Sequence, residues 1–362
     1  MDKAWLAFLG PALGVALCGW PVRRLLIRWQ VIDRPNERSS HEHPTARGGG
    51  IGFVAIILLS AILLLGQGGA DRPLAFLCTA GGLLALVSFV DDLKSLPVVV
   101  RFGCHAAAAL SALWALDWPS LWIGLGPEDG LRLPWLLGLL VMFLWITGYT
   151  NAFNFMDGIN GIAGGQAAVT AGGSALLVGL ASEQWGSTPV LFALTVAGAA
   201  AGFLPHNFPR ARMFMGDVGS APLGFLLAVL VIWSARDHGW WLLLPLALLH
   251  ANFVLDTAIT LLRRILRGES WYHAHREHFY QRLIRSGKSH AYVTLWEMGL
   301  QVGVLGALVL YLHVGAAARI GLIGLVLGLW ATFFTYCEFT FRKAITAEPA
   351  RAATLPTIWP QS

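Results

Sequence analysis

Four aspartates lie at the ends of long apolar runs, where a carboxylate is costly unless it faces water or a cation. These are Asp91, Asp92, Asp157 and Asp217. The adjacent pair Asp91 and Asp92 repel each other, so we expect a cation to neutralise them. Carboxylate oxygens without a cysteine set suit a hard ion, and the sequence therefore predicts a site for Mg²⁺, with Mn²⁺ as a substitute.

Cationic side chains accompany these acids in neighbouring polar segments, and they are the groups that could hold phosphate oxygens. They are Arg47, Arg101, Arg276, Arg282, His273, His275 and His278. Glycine-rich turns at 48–50 and 216–219 would let backbone amides approach an anion closely. Carboxylates around a divalent ion, beside guanidinium groups, are what phosphoryl transfer requires.

Each of these residues also has a purely structural interpretation. Asp157 can cap the helix that follows it, and Asp217 before a glycine can form a turn. The paired acids can mark topology, and the histidines can be interfacial polar residues. Asp256 lies inside an apolar run and is a functional candidate by default, although its partner cannot be named from the sequence.

The composition identifies the environment that must position these groups. Of the 362 residues, 56% are hydrophobic and only 12% are charged, against about 25% charged in ordinary soluble domains. A soluble domain, a disordered chain and a coiled coil are excluded by this balance. The four cysteines lie in apolar stretches without zinc spacing, and the basic residues flank apolar runs, so lipid and phosphate are expected partners rather than nucleic acid.

Runs of about 20 apolar residues predict membrane-spanning helices, and eleven candidates can be distinguished. They lie near 4–22, 50–66, 73–90, 102–117, 134–150, 161–181, 188–205, 219–235, 240–262, 291–312 and 319–340. The expected fold is an all-α polytopic membrane protein with one transmembrane domain over 1–341 and a cytoplasmic tail over 342–362.

Lysine and arginine are unevenly distributed between the two sets of alternate loops. One set carries 20 of the 25 basic residues, and the positive-inside rule makes that side cytoplasmic. The N-terminus is then outside, and five polar segments share the cytoplasmic face. In chain order, the first to fifth segments are 32–50, 91–101, 151–161, 207–220 and 273–283. We therefore expect a multi-pass membrane protein whose active site lies on the cytoplasmic side.

Four motifs in order resemble those of the polyprenyl-phosphate N-acetylhexosamine-1-phosphate transferases. Asp91 and Asp92 look like the paired aspartates of that superfamily. Residues 154–161 are similar to its Asn-x-x-Asp-Gly-x-Asp-Gly motif, and 214–220 resemble its metal-binding signature, preceded by Asn207. The resemblance implies transfer of a sugar 1-phosphate from a UDP-linked N-acetylhexosamine to undecaprenyl phosphate, with release of UMP. It also implies a location in the bacterial inner membrane. Whether the chain forms a homodimer is left open by the sequence.

The resemblance also implies roles for the polar residues. Asp92 and Asp217 would hold Mg²⁺, and Asp91 would accept a proton from the lipid phosphate or orient it. The catalytic residues would be Asp91, Asp92, Asp157 and His278. Those expected to bind substrate are Arg47, Arg101, Asn154, Asn160, Asn207, His273, His275, Arg276 and Arg282. By resemblance, the three asparagines and Asp157 would face the nucleotide.

Two departures from the family pattern concern the sugar. Asn160 replaces the second acid of the third motif, at a position that lies toward the nucleotide by resemblance. The segment 273–283 differs from the triple-histidine form of the muramoyl-pentapeptide branch. It looks more like the branch that starts O-antigen chains, which implies 6-deoxy-N-acetylhexosamine donors.

Two other classes stay open from the sequence. A transporter or flippase of a lipid-linked or anionic solute would place acids near the bilayer midplane on pseudo-repeated broken helices, but the acids cluster at one face and no repeat is evident. A CDP-alcohol phosphotransferase would carry an Asp-Gly-x-x-Ala-Arg run, which is absent here.

Overall fold

The computed structural model describes residues 2–35, 43–68, 71–128, 130–269 and 275–354. The fold is all-α, as predicted, with 78% of the described residues in helices. The helices are α1 Asp2–Arg28, α2 Gly50–Gly68, α3 Arg72–Lys94, α4 Val98–Ala115, α5 Trp135–Met156, α6 Ile162–Ser182, α7 Thr188–Asn207, α8 Asp217–His238, α9 Leu243–Leu248, α10 Ala251–Leu266, α11 Phe279–Arg285, α12 His290–Leu312 and α13 Ala316–Thr354.

Short irregular elements join these helices. A 3₁₀ turn at Trp240–Leu242 precedes α9. In the part of the chain that the structure describes, four strands form two antiparallel pairs, β1 Ile32–Asp33 with β2 Thr45–Ala46, and β3 Trp122–Ile123 with β4 Leu131–Arg132. Helix α13 continues without interruption to Thr354, past the boundary at residue 341 that hydropathy suggests for the transmembrane domain.

Within the described residues, nine helices are long and apolar enough to cross a membrane. Two of the eleven predicted spans differ in detail from this set. The run at 50–66 forms a shorter apolar helix, and the run at 240–262 is two helices, α9 and α10, that meet at a bend of 69°. The protein is thus a multi-pass membrane protein whose ninth predicted span is broken.

Buried polar side chains stabilise the break between α9 and α10. The carbonyl oxygen of Leu249 accepts hydrogen bonds from Gln166 Nε2 at 3.0 Å and Thr170 Oγ1 at 3.2 Å, and from Gln301 Nε2. A broken helix inside a membrane leaves backbone carbonyls that neighbouring helices must satisfy. Glutamine and threonine in otherwise apolar runs of α6 and α12 meet that requirement.

Helices α1 and α7 pack so closely that glycine is required on α7. A Cβ atom added to Gly198 would lie 2.1 Å from Phe8 O, and one added to Gly202 would lie 2.2 Å from Ala12 O. The spacing is the small-xxx-small pattern that lets transmembrane backbones approach each other. The contact fixes α7, which ends directly before the fourth polar segment.

We expect Gly198→Ala to destabilise the protein by about 1–3 kcal/mol, because the new methyl group forces two backbones apart. The measurement is the thermal unfolding midpoint in detergent. Gly10→Ala on α1 is the matched control, since a Cβ atom there meets nothing within 4 Å. Equal midpoints for the two variants would show that the α1–α7 contact can relax without cost.

Candidate active site

Asp92, in the last turn of α3, lies against the N-terminus of α8. Its Oδ1 accepts a hydrogen bond from the backbone N–H of Asp217 at 3.3 Å, and its Oδ2 accepts one from Val218 N–H at 3.1 Å. The first amides of a helix lack partners within the helix and favour negative charge. This carboxylate, whose side chain is fully buried, therefore joins the second polar segment to the fourth.

Glycines allow the first segment to pack against the N-terminus of α8 as well. Gly49 N–H and Gly50 N–H donate to the carbonyls of Phe214 and Met215 at 2.9 and 2.8 Å. A Cβ atom on Gly50 would lie 2.3 Å from Gly219 Cα. The turn at 48–50, predicted to bring amides to an anion, uses these two amides to hold backbone against backbone instead.

Arg47 brings the two acids of the predicted metal site together. Its Nη2 lies 2.8 Å from Asp92 Oδ1 and 3.2 Å from Asp217 Oδ1. Burial works to lower the pKa of Arg47, but the negative charges of Asp92, Asp217 and Asp33 outweigh it, and the pKa is raised above its ordinary value. The guanidinium thus occupies the position of a cation shared by two carboxylates.

The donor set fits Mg²⁺. Among the described residues, no group of three or more His, Cys, Asp and Glu side chains could form a complete metal cage. Mg²⁺ commonly binds one or two carboxylates and takes its remaining ligands from water and substrate phosphates. Asp92 and Asp217, held within reach of one guanidinium nitrogen, are such a pair.

Asp157 belongs to the same electrostatic cluster. It follows the last residue of α5 as its C-terminal cap, and its backbone N–H donates to Asn154 O at 3.3 Å. Burial, and then the negative charge of Asp217, raise the pKa of Asp157 well above its usual range, while Arg47 opposes the shift. The structural alternative, a cap on the following helix, does not apply because α6 begins after Gly161.

Asp91 forms an ion pair with a different arginine from the one that Asp92 contacts. Its Oδ2 lies 3.1 Å from Arg101 Nη1, and its Oδ1 accepts a hydrogen bond from Leu96 N–H at 2.5 Å. The adjacent acids are therefore neutralised separately, Asp92 by Arg47 and Asp91 by Arg101. The roles of Asp91 as base and Arg101 as phosphate ligand stay predictions.

The predicted nucleotide-facing asparagines make hydrogen bonds between segments. Asn154 Nδ2 donates to Ser220 Oγ at 2.9 Å. Asn207 Oδ1 accepts from Gly161 N–H at 2.6 Å, while its Nδ2 donates to Met213 O at 2.9 Å. These bonds join the third segment to the fourth, so Asn154 and Asn207 position the loops around the acids.

Asn160, which by resemblance replaces an acid of the family motif, uses its side-chain amide in a hydrogen bond. Its Nδ2 donates to Pro209 O at 3.1 Å, and its backbone carbonyl accepts from Thr294 Oγ1 at 2.8 Å. We expect Asn160→Asp, which restores the family residue, to lower the thermal midpoint, because a carboxylate would face a carbonyl oxygen. A higher midpoint, measured beside Asn160→Ala, would contradict this explanation.

In the fifth segment, Tyr280 contacts the third segment, whereas several other side chains hold the fifth segment itself together. Arg282, predicted to bind substrate, is buried and bonds to Glu338 Oε2 at 2.5 Å and Glu277 O at 2.8 Å. Burial lowers the pKa of His275 to about 4, so this ring is neutral at pH 7. His273 lies outside the described residues. The carbonyl of Arg276 accepts a hydrogen bond from Arg285 Nη1 at 3.4 Å, and the role of this arginine as a substrate ligand stays a prediction.

Tyr280 connects the fifth segment to the turn that carries Asp157. Its hydroxyl donates to Phe155 O at 3.1 Å, and a Cβ atom on Gly158 would lie 2.1 Å from that hydroxyl oxygen. The ring of His278 stacks on Tyr280, with centroids 5.9 Å apart. Sequence reasoning missed Tyr280, because an aromatic residue beside basic ones carries no distinctive signal, and the required glycine is distant in the chain.

Comparison with known proteins identifies the family of the chain. Residues 74–235 match the model of glycosyl transferase family 4. A decaprenyl-phosphate N-acetylglucosaminephosphotransferase of Mycolicibacterium smegmatis is 30% identical over 87% of this chain and 84% of its own. The Mycobacterium tuberculosis protein of the same name is 32% identical over 76% and 74%.

A relative from Bacillus subtilis is named a probable undecaprenyl-phosphate N-acetylglucosaminyl 1-phosphate transferase, and it is 27% identical over 80% of each chain. The resemblance drawn from the four motifs is confirmed, and the chain belongs to glycosyl transferase family 4.

Proposed function

We propose that the protein transfers an N-acetylated hexosamine 1-phosphate from a UDP-sugar to undecaprenyl phosphate, releasing UMP. The relatives are named for transfer of N-acetylglucosamine phosphate to decaprenyl or undecaprenyl phosphate, which supports the reaction class. The observation that carries the proposal is the single guanidinium nitrogen of Arg47 within 3.2 Å of both Asp92 and Asp217.

The reaction exchanges one phosphoanhydride for another. An oxygen of the lipid phosphate attacks the sugar-bearing phosphorus, the bond to the UMP oxygen breaks, and UMP carries away the electron pair. Because one anhydride is broken and one is formed, the equilibrium should lie near balance, and the next enzyme would set the direction.

The chain's own residues bind and orient the two phosphates. When bound, Mg²⁺ supplies charge neutralisation of the pyrophosphate. Asp92 and Asp217 would hold the ion, and Arg47, which lies beside both carboxylates, would bind phosphate oxygens of the substrates. Asp91 accepts the proton of the lipid phosphate or keeps it oriented for in-line attack.

The setting of the reaction is a further part of the proposal. The excess of basic residues on one set of loops supports an inner-membrane protein with a cytoplasmic active site and an external N-terminus. The sequence of the fifth segment supports a first step in O-antigen or related envelope synthesis. A 6-deoxy-N-acetylhexosamine is therefore a donor to test beside N-acetylglucosamine.

The test is to offer purified protein a panel of UDP-sugars with radiolabelled undecaprenyl phosphate and Mg²⁺. We expect labelled undecaprenyl-diphosphate-sugar and stoichiometric UMP with one donor or a small group of donors. If no donor gives product while the protein is folded, the transferase proposal fails.

A transporter or flippase of a lipid-linked or anionic solute is the second candidate, favoured by one observation. The bent pair α9 and α10 carries the buried carboxylate Asp256, and broken helices with intramembrane acids are typical of transporters. Movement of labelled solute across proteoliposomes, without UMP release, would support this function.

A further inference from the structure

Asp256 is a buried acid that the proposed reaction has not used. It lies on α10 and is 1% exposed. A carboxylate among apolar helices requires compensating partners, and it has four donors within hydrogen-bonding distance. They are His278 Nδ1 at 2.9 Å, Phe279 N–H at 2.9 Å, Tyr280 N–H at 3.4 Å and Thr260 Oγ1 at 3.2 Å.

The contact with His278 fixes which nitrogen of the imidazole is available. With Nδ1 bonded to Asp256 Oδ1, only Nε2 is left to meet a ligand, and the bonded nitrogen sets the orientation of the ring. The ring also contacts two others, His275 at 4.9 Å and Tyr280 at 5.9 Å between centroids. The imidazole is thus held by a hydrogen bond at one edge and by contacts with two neighbouring rings.

The fixed ring packs against the residue that contacts the turn of Asp157. Tyr280, on which the ring stacks, reaches Phe155 O, two residues before Asp157. A helix cap alone would need only the backbone amides of Phe279 and Tyr280, and those already bond to Asp256 Oδ2. Oδ1 is shared between Thr260 and the imidazole, so the acid also binds a side chain that a helix cap does not require.

Other ionisable groups surround the pair from each packed element. Glu297 on α12 and Cys337 on α13 interact electrostatically with Asp256. Arg264 on α10 and Glu277, which precedes α11, interact with His275, and Arg264 is paired with Glu277 and Glu269. Asp256 is therefore the acid that directly contacts His278.

We propose that Asp256 is a positioning residue, which holds His278 through Nδ1 so that Nε2 faces a phosphate oxygen of the sugar donor. The proposal rests on the proposed function, since it names what presents the histidine in that reaction. It also assigns a partner to the buried acid of the broken span.

The test is a double-mutant cycle with Asp256→Asn and His278→Ala. Asparagine preserves an oxygen for the backbone amides but loses the charge that fixes the imidazole. We expect each single variant to lower kcat on the order of 10- to 100-fold, with KM for undecaprenyl phosphate changed less than about threefold. In the His278→Ala background, Asp256→Asn should lower kcat no further.

Two further variants separate positioning from folding. Asp256→Glu should recover part of kcat, because it restores the charge beside the ring. Thr260→Val, which removes another hydrogen bond to Asp256 without touching His278, should leave kcat within about threefold. Multiplicative losses in the cycle, or wild-type kcat in Asp256→Asn, would overturn the proposal.

A second measurement does not depend on turnover. In protein labelled with ¹⁵N-histidine, the resonances that disappear in His278→Gln belong to this ring. We expect a protonated Nδ1 in the wild type and its loss in Asp256→Asn. An unchanged pattern overturns the positioning role, whereas absence of sugar-phospholipid product from wild-type protein overturns only the proposed reaction.

Discussion

Asp217→Asn is expected to lower turnover on the order of 10²-fold or more, while the protein still inserts and folds. The change keeps the shape of the side chain and removes one of the two negative charges that we propose fix Mg²⁺. Turnover should be measured with pure UDP-sugar and undecaprenyl phosphate, and normalised to monodisperse protein.

Helix α8 offers a matched control for this substitution at its other end. Asp237→Asn makes the same chemical change, and Asp237 pairs with Arg236 at 2.6 Å, at the end of α8 opposite the site. Turnover of this control should match the wild type. Near-normal turnover in Asp217→Asn itself would remove Asp217 from the metal-binding role.

Asp92→Asn should cause a comparable loss of turnover with an added structural effect. Its two oxygens accept the amides of Asp217 and Val218, and an asparagine can accept only one of them. We therefore expect a lower thermal midpoint in Asp92→Asn than in Asp217→Asn. For this reason Asp217→Asn separates charge from folding more cleanly.

Gly50→Ala is expected to abolish most activity through backbone displacement alone. The added Cβ atom would meet Gly219 Cα at 2.3 Å and Gly219 N at 2.4 Å, and neither backbone atom can rotate away. Separation of α2 from α8 would move Arg47 away from Asp217. Displacement by about 1 Å can cost on the order of 10²-fold in rate.

Gly66→Ala is the control on the same helix, since a Cβ atom at Gly66 meets nothing within 4 Å. Folded yield by size-exclusion chromatography and turnover per folded molecule should be compared. Wild-type turnover in folded Gly50→Ala would show that the contact between the first and fourth segments does not set the geometry of the acids.

Much of the candidate site could be predicted because its residues stand out in the local sequence. Asp92 and Asp217 end or begin apolar runs, where an acid is costly, and the basic residues fall on one set of loops. Their placement together follows from span order. The all-α membrane fold follows from the length of those runs.

The remaining features depend on tertiary contacts that no local pattern encodes. Asp256 stands out in the sequence as an acid inside an apolar run. His278 is its partner only because α11 folds back against α10. The sequence predicts that Arg282 is a phosphate ligand, but in the structure its guanidinium bonds to Glu338 on α13. The break at Leu249 depends on donors from α6 and α12, so hydropathy predicted one continuous span.

Shared coordination of one divalent cation by Asp92 and Asp217 can be measured directly by Mn²⁺ electron paramagnetic resonance on purified protein with UDP-N-acetylglucosamine. We expect one bound Mn²⁺ per chain in the wild type, displaced by Mg²⁺, and its loss in both Asp92→Asn and Asp217→Asn but not in Asp237→Asn. Undiminished Mn²⁺ binding in both site variants would contradict a cation held between these two carboxylates.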